Sequence, residues 1–331
     1  MVIYKKRRGT LIMVVAALLL VFSVPGLTAG GNRESPDGSE SSESSESGER
    51  KGPITVASKI DTEGSLLGYM MVLLLEDAGF EVENQVEFGP TDVIRRAITS
   101  GEIDIYPEYT GNGAFFFDEA ESDVWKDPQA GYDRVRELDR ERNNLIWLAP
   151  ADANNTWAIA VRGELYNNGV TTMGDIGPWM AAGNSFKLAA SEEFVSRPDV
   201  LPAFEETYNF QLSQENLLVF SGGNTATTMQ AAARNQEGVN AAMAYGTDGQ
   251  LAALGLFVLD DTKGVQPVYL PAPVVRGEVF DEYGELEELL RPVFASLDRE
   301  TLQGLNASIA VEGRSAEVVA KQYLQNNGFI Q

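Results

Sequence analysis

Short apolar runs alternate with segments of helical periodicity from residue 54 onward. Leucines and methionines between 62 and 78 recur every three or four positions, which predicts a helix, and Gly79 follows as a stop signal. The first predicted elements are strand 54–58, helix 62–78, strand 81–88, helix 92–100 with Thr91 as its cap, and strand 103–106. This β-α-β-α-β order predicts half of a doubly wound α/β lobe.

The same alternation begins again at Trp157 and predicts a second lobe. Its predicted elements are strand 157–161, strand 186–190, helix 199–208, strand 217–220, helix 225–235 and strand 240–245. Strand-like segments follow at 258–259 and 268–275, and a mainly helical tail is predicted over 285–328. We therefore predict an α/β fold of two doubly wound lobes with a ligand cleft between them, because open α/β sheets bind ligands at the carboxyl ends of their strands.

The N-terminal 52 residues differ in composition from the rest. A basic start, an apolar stretch over 11–24 and small residues after it are typical of a signal peptide over 1–29, so we expect a periplasmic or extracytoplasmic protein. A retained N-terminal anchor helix is the alternative. Gly30 stands where a lipoprotein would carry its lipidated cysteine, which excludes that lipid anchor. Residues 30–52 are rich in Ser and Glu and are predicted to be a disordered linker.

Composition narrows the chemistry that the lobes can perform. The 331-residue sequence contains no Cys and no His, which excludes disulfides, Cys/His zinc sites, thiol nucleophiles and Ser-His triads. The net charge is −24, and it becomes more negative without the four basic residues at positions 5–8, so nucleic acid is not expected as a partner. We predict no catalytic residue, no metal and no cofactor. A hydrolase that uses two carboxylates is the enzymatic alternative.

Four aromatic residues stand at the ends of the predicted strands, namely Tyr109, Trp157, Tyr245 and Tyr269. Tyr and Trp present an electron-rich face, and several of them together bind a quaternary ammonium by cation–π attraction without a hydrogen bond. Spacing alone leaves open whether each ring belongs to a hydrophobic core or to such a box.

Around these clusters the sequence resembles the glycine betaine/choline-type substrate-binding proteins of osmoprotectant ABC importers, and in particular their OsmF-like branch. The matching segments are 57–64, 101–113, 150–157, 244–249 and 267–276, within a resemblance over nearly all of 53–328. The resemblance implies a type II periplasmic-binding-protein fold, in which one lobe is inserted into the other. Lobe 1 would comprise 53–155 and 247–331 and lobe 2 would comprise 156–246, with crossovers near Asn155 and Gly246.

The resemblance also implies a ligand site. Its aromatic box would consist of Tyr109, Trp157, Tyr245 and Tyr269, with Trp157 in place of the more usual Tyr. The other predicted ligand-binding residues are Lys59, Thr110, Asn112 and Asn155. Better-known choline binders carry Gln where this chain has Gly64, so one polar ligand contact differs.

The predicted function is that of an exported, non-enzymatic binding protein. It would capture a quaternary-ammonium osmolyte and deliver it to the permease subunits of an ABC importer with a cytoplasmic ATPase, and we expect a monomer. Another polar solute, such as an amino acid, is the first alternative, and Lys59 or Arg276 would then clamp a carboxylate. A tethered extracellular ligand sensor is the second.

Overall fold

A computed structural model describes residues 51–222 and 224–331. The strands are β1 (Lys51–Lys59), β2 (Phe80–Gly89), β3 (Ile105–Tyr109), β4 (Leu145–Trp147), β5 (Trp157–Arg162), β6 (Leu188–Ser191), β7 (Leu217–Phe220), β8 (Ala241–Tyr245), β9 (Leu256–Val258) and β10 (Pro271–Arg276). The helices are α1 (Thr62–Asp77), α2 (Thr91–Ser100), α3 (Asn112–Phe116), α4 (Pro128–Asn143), α5 (Gly163–Asn167), α6 (Ile176–Ala181), α7 (Glu192–Ser196), α8 (Leu201–Tyr208), α9 (Thr225–Ala233), α10 (Gly277–Glu282), α11 (Leu286–Ala295), α12 (Arg299–Ala310) and α13 (Ala316–Asn326).

The strands form two five-stranded sheets of the same design. Their strand orders are β2-β1-β3-β10-β4 and β7-β6-β8-β5-β9. The first three strands of each sheet are parallel, and the fourth runs antiparallel to both of its neighbours. The strands β1, β3, β5, β6, β8 and β10 are buried along most of their length, because helices cover the sheets, and they are mostly apolar for that reason. The predicted two-lobe α/β fold is confirmed.

Helix α1 lies in the core of the first lobe. Its leucines and methionines at helical spacing are buried, and they share this core with α11, α12 and α13 from the end of the chain. The N–H of Gly64 donates to Asp61 Oδ1 at 2.8 Å, which caps the helix. The first lobe is therefore built from both ends of the described chain.

Helix α2 begins one residue earlier than predicted. Thr91 is its first helical residue, and Pro90 occupies the N-cap position without a side-chain hydrogen bond. Proline needs no partner for a backbone N–H, so it is suited to this place. The helix ends at Gly101, whose φ of 79° is a left-handed conformation that glycine adopts without strain.

The chain returns to the first lobe later than the predicted crossover near Gly246. Strand β9 pairs with β5, and Leu256 packs into the core of the second lobe. Residues 256–258 therefore belong to the second sheet, and β10 is the first strand back in the first sheet. Only three residues form β9, and two of them are exposed, so its sequence carries no alternation that would assign it to a sheet.

The N-terminal predictions fall almost entirely outside the described residues. Neither the signal peptide over 1–29 nor residues 30–50 of the predicted linker belong to them. The last two linker residues were assigned wrongly, because Lys51 and Gly52 are part of β1 and Lys51 pairs with Phe80 of β2. Within 51–222 and 224–331, no helix combines the length and the apolar character needed to cross a bilayer.

Substitution of Gly249 by alanine is expected to destabilise the protein by more than about 2 kcal/mol. A Cβ at this position would overlap the backbone carbonyl oxygen of Gln303 in α12, and a backbone atom cannot rotate away as a side chain does. Urea denaturation measures the effect. Gly304→Ala is the matched control, because a Cβ there meets no atom within 4 Å, and alanine in a helix interior should stabilise by about 0.5 to 1 kcal/mol. Equal stabilities of Gly249→Ala and the wild type would contradict this packing.

Candidate functional site

A cavity of about 430 Å³, counting the part open to solvent, lies between the two lobes. We call it the interlobe cavity. Its lining residues are Lys59, Ile60, Asp61, Pro90, Thr91, Tyr109, Asn112, Asn155, Trp157, Glu193, Tyr245 and Tyr269. The four predicted aromatic residues thus meet at one place, although 160 positions separate the first from the last in the sequence.

Strand register explains why two of the rings meet. Trp157 begins β5 and pairs with Tyr245 at the end of the antiparallel strand β8. Directly opposed residues in adjacent strands bring their side chains together, and the two ring centroids are 4.7 Å apart at an interplanar angle of 48°. Phe194 packs edge-on against Trp157, with ring centroids 5.5 Å apart, and lies in the core of the second lobe.

The other two rings come from the first lobe and from the segment that returns to it. Tyr109 ends β3 and pairs with Pro271, so Tyr269, two residues before Pro271, lies at the same end of the sheet. Gly111 lets the Tyr269 ring approach closely, because a Cβ at position 111 would lie 2.8 Å from a ring carbon. A larger residue at position 111 would displace this ring from the cavity.

Glu63 fixes the position of Tyr109. The Tyr109 hydroxyl donates to Glu63 Oε1 at 3.1 Å, and Asn155 Nδ2 donates to the same oxygen at 2.7 Å. Asn306 Nδ2 of α12 donates to the other oxygen at 2.8 Å. Burial raises the pKa of Glu63, and the hydrogen bonds that it accepts act in the opposite direction. One carboxyl group therefore joins α1, the aromatic site, a crossover segment and the C-terminal helices.

Lys59 is already paired with a carboxylate. Its Nζ lies 2.6 Å from Glu108 Oε1 and 4.8 Å from the centroid of the Tyr109 ring. Asn112 Nδ2 donates to the same Glu108 oxygen at 2.8 Å. A ligand carboxylate would have to displace Glu108 to use Lys59.

Arg276, the second predicted clamp, is not part of the interlobe cavity. It is at the far end of β10 from Tyr269, and its Nε lies 3.2 Å from Asp104 Oδ1. The Asp104 carboxylate also accepts the N–H of Thr55 at 2.8 Å. This pair stabilises the first sheet, so Arg276 is not a clamp for a ligand in the interlobe cavity.

Arg197, which is not among the predicted site residues, connects the two lobes. Its Nη1 donates to Asn112 Oδ1 at 2.9 Å, and its guanidinium carbon lies 4.2 Å from the centroid of the Phe115 ring. Two further nitrogens donate to the carboxylate of Asp199 at 2.6 and 3.0 Å. The residue lies in a loop between α7 and α8, where no periodicity or motif distinguishes a buried arginine from a solvated one.

Seven of the eight residues predicted to bind ligand line the interlobe cavity, and Thr110 does not. The Thr110 hydroxyl donates to the carbonyl oxygen of Val268 and accepts the N–H of Leu270. These bonds anchor the returning segment to β3, so the role of Thr110 in the structure is to position backbone. The lining residues that the prediction missed are Ile60, Asp61, Pro90, Thr91 and Glu193. Asp61 and Glu193 follow the carboxyl ends of β1 and β6. Open α/β sheets bind ligands at these ends, so the position of both residues in the sequence already indicates the site.

Asp248 holds the backbone of Tyr245 in place by a hydrogen bond. Its carboxylate accepts the N–H of Tyr245 at 2.6 Å and the hydroxyl of Thr225 at 2.8 Å. Burial raises the pKa of Asp248 to about 7, while these two hydrogen bonds act in the opposite direction. The folded protein therefore holds a proton on this group more tightly than the unfolded chain does.

Replacement of Asp248 by asparagine is expected to weaken the pH dependence of stability. The stability that this group contributes is fully present below its unfolded pKa of about 4 and is lost as the pH rises through about 7. The wild type should lose about 2 to 3 kcal/mol from this source between roughly pH 5 and pH 8, and Asp248→Asn should not. Urea denaturation at both pH values measures the difference. Asp281→Asn, which changes an exposed carboxylate on α10, is the control and should behave as the wild type does.

Comparisons with known proteins agree with this architecture. The family model described as the substrate binding domain of ABC-type glycine betaine transport systems matches residues 52–326. The glycine betaine-binding protein YehZ of Escherichia coli K12 is 57% identical over 278 residues, which cover 84% of this chain and 91% of that protein. A glycine-betaine-binding protein of Pseudomonas aeruginosa is 31% identical over 281 residues, which cover 83% and 88%.

A solved structure agrees in fold as well as in sequence. Apo YehZ from Escherichia coli is 56% identical, with a TM-score of 0.62, and the match covers 84% of this chain and 100% of that one. The family is one of transport proteins and not of enzymes. The sequence match, the two-lobe fold and the cavity between the lobes lead to one conclusion: this chain belongs to the family of substrate-binding domains of ABC-type glycine betaine transport systems.

Proposed function

We propose that the protein captures a quaternary-ammonium osmolyte, such as glycine betaine or choline, in the interlobe cavity and delivers it to the permease of an ABC importer. The observation that carries this proposal is the convergence of Tyr109, Trp157, Tyr245 and Tyr269 on one cavity. The ligand is released unchanged. Two relatives that carry the name glycine betaine-binding protein support the ligand class.

Aromatic rings suit this ligand because a trimethylammonium group can neither donate nor accept a conventional hydrogen bond. It is held by the electron-rich faces of several rings, each of which contributes about 0.5 to 2 kcal/mol. Tyr109 comes from the first lobe, whereas Trp157 and Tyr245 come from the second. A ligand that contacts both sets stabilises the arrangement in which the lobes are together, which couples capture to lobe closure.

The two crossover segments lie side by side and allow such a closure. The N–H of Asn155 donates to the carbonyl oxygen of Tyr269 at 2.9 Å, and the N–H of Tyr269 donates to Asn154 Oδ1 at 2.8 Å. Bending at these segments would move the lobes as rigid bodies. Tyr269 lies in one of these segments, so a bend there would change the position of its ring relative to both lobes.

Export is the second part of the proposal. The signal sequence predicted over 1–29 supports a location outside the cytoplasmic membrane, where an importer collects its substrate. A membrane-tethered form follows if this segment is not cleaved. The absence of Cys from the sequence excludes a lipid anchor on a cysteine.

Trp157→Leu is expected to weaken binding of glycine betaine and choline by about 3- to 30-fold, which corresponds to the loss of one cation–π contact. Leucine keeps an apolar side chain at this position but removes the ring. Trp157→Phe restores a ring and should retain most of the affinity. Isothermal titration calorimetry measures both.

Tyr166→Leu is the matched control, because this half-buried ring stacks on Phe257 at 4.6 Å and does not line the interlobe cavity. The control should bind as the wild type does. Unchanged affinity in Trp157→Leu would refute the aromatic box, and failure of the wild type to bind any quaternary ammonium would refute the ligand class. Chemical turnover of a bound osmolyte would refute the non-enzymatic role.

A further inference from the structure

We propose that the interlobe cavity selects quaternary ammonium ligands with a net positive charge over zwitterions, because Asp61 and Glu193 present carboxylates to it from opposite lobes. This inference rests on the proposed function and specifies its substrate class. It favours a ligand of the choline type, which carries an ammonium and a hydroxyl, over one that also carries a carboxylate.

Asp61 faces the cavity from the first lobe, directly after β1. It is 7% exposed. Its Oδ1 accepts the N–H of Gly64, and its Oδ2 has no hydrogen-bond partner among the described residues. A carboxylate oxygen without a donor in the wall of a cavity favours an approaching cation or hydroxyl donor.

Glu193 faces the same cavity from α7 of the second lobe. Its Oε1 accepts from Arg197 Nη1 at 3.1 Å, but the bidentate partner of that guanidinium is Asp199. Glu193 therefore shares one arginine with a closer carboxylate and is only partly neutralised.

The charges around the cavity do not cancel. Lys59 is the only lining lysine or arginine among the described residues, and Glu108 neutralises it at 2.6 Å. Arg197 is neutralised by Asp199. The carboxylates of Asp61 and Glu193 remain as surplus, so a cation is attracted, whereas the carboxylate of a zwitterion meets like charge without a free cationic partner.

The pKa of Asp61 lies above its ordinary value. Burial is the main cause that raises it, and the charge of Glu193 acts in the same direction. The Gly64 N–H and Lys59 oppose the rise. Because Asp61 and Glu193 are on different lobes, a cation between them relieves a repulsion that lobe closure would otherwise increase.

Tyr269 supplies a hydrogen-bonding group for the other end of the ligand. Its hydroxyl is buried and has no hydrogen-bond partner within residues 51–222 and 224–331, although the Trp157 side chain is close to it. A buried unpaired hydroxyl in the wall of a cavity indicates a position at which a ligand completes the hydrogen bonding. A ligand hydroxyl does so without adding negative charge.

Calorimetric titration with choline, glycine betaine and 3,3-dimethyl-1-butanol, the uncharged carbon analogue of choline, tests the inference. We expect the wild type to bind choline at least about tenfold more tightly than glycine betaine. Asp61→Asn and Glu193→Gln should each reduce this ratio by about three- to tenfold. Asparagine also caps helices, so α1 should persist in Asp61→Asn, and Glu193→Gln carries the test if that variant does not fold.

Glu192→Gln is the matched control, because it makes the same change one position away, on an exposed side chain of α7 that does not line the cavity. It should leave the ratio unchanged. Glycine betaine binding as tightly as choline, or an unchanged ratio in the Glu193 variant, would overturn the charge selection alone. Absence of binding for both ammonium ligands, or equal binding of the uncharged analogue, would overturn the proposed function together with it.

Discussion

The buried carboxyl group of Glu63 is the interaction on which the arrangement of the cavity depends. It is 3% exposed, and it accepts hydrogen bonds from Tyr109, Asn155 and Asn306. These donors belong to a sheet strand, a crossover segment and a C-terminal helix. Removal of the carboxyl group would leave buried donors without partners in three parts of the molecule at once. A buried charge is costly by itself, so its value is in fixing how these parts meet.

The pairing of the strands positions the other side chains of the site around Glu63 and Tyr109. The ends of β3, β5 and β8 bring aromatic side chains to the interlobe cavity, and hydrogen bonds of the Tyr269 backbone to Asn154 and Asn155 place the fourth ring there. Apolar rings and surplus carboxylates in one cavity attract the same kind of ligand. A quaternary ammonium is bulky and cationic, and it uses ring faces and negative charge without requiring a donor.

The element pattern was largely predictable because it depends on local periodicity. Helix α1 and strand β5 lie close to their predicted bounds. Their buried faces require apolar residues at a regular spacing, and this spacing is visible in the sequence. Helix α4 was not predicted, because it is strongly charged and buries only a few side chains, such as Val135 and Leu138. Strand β9 was placed in the wrong lobe, because a three-residue pairing is decided by its neighbours and not by its own sequence.

The sequence by itself determined the α/β class, the aromatic residues at strand ends and the family, because these depend on residue types and on their local order. The tertiary structure alone decided which charges are free. The pairing of Lys59 with Glu108 and of Arg276 with Asp104 joins residues 49 and 172 positions apart, and no local pattern encodes such contacts. For the same reason, only the folded chain shows that Asp61 and Glu193, from different lobes, face one cavity.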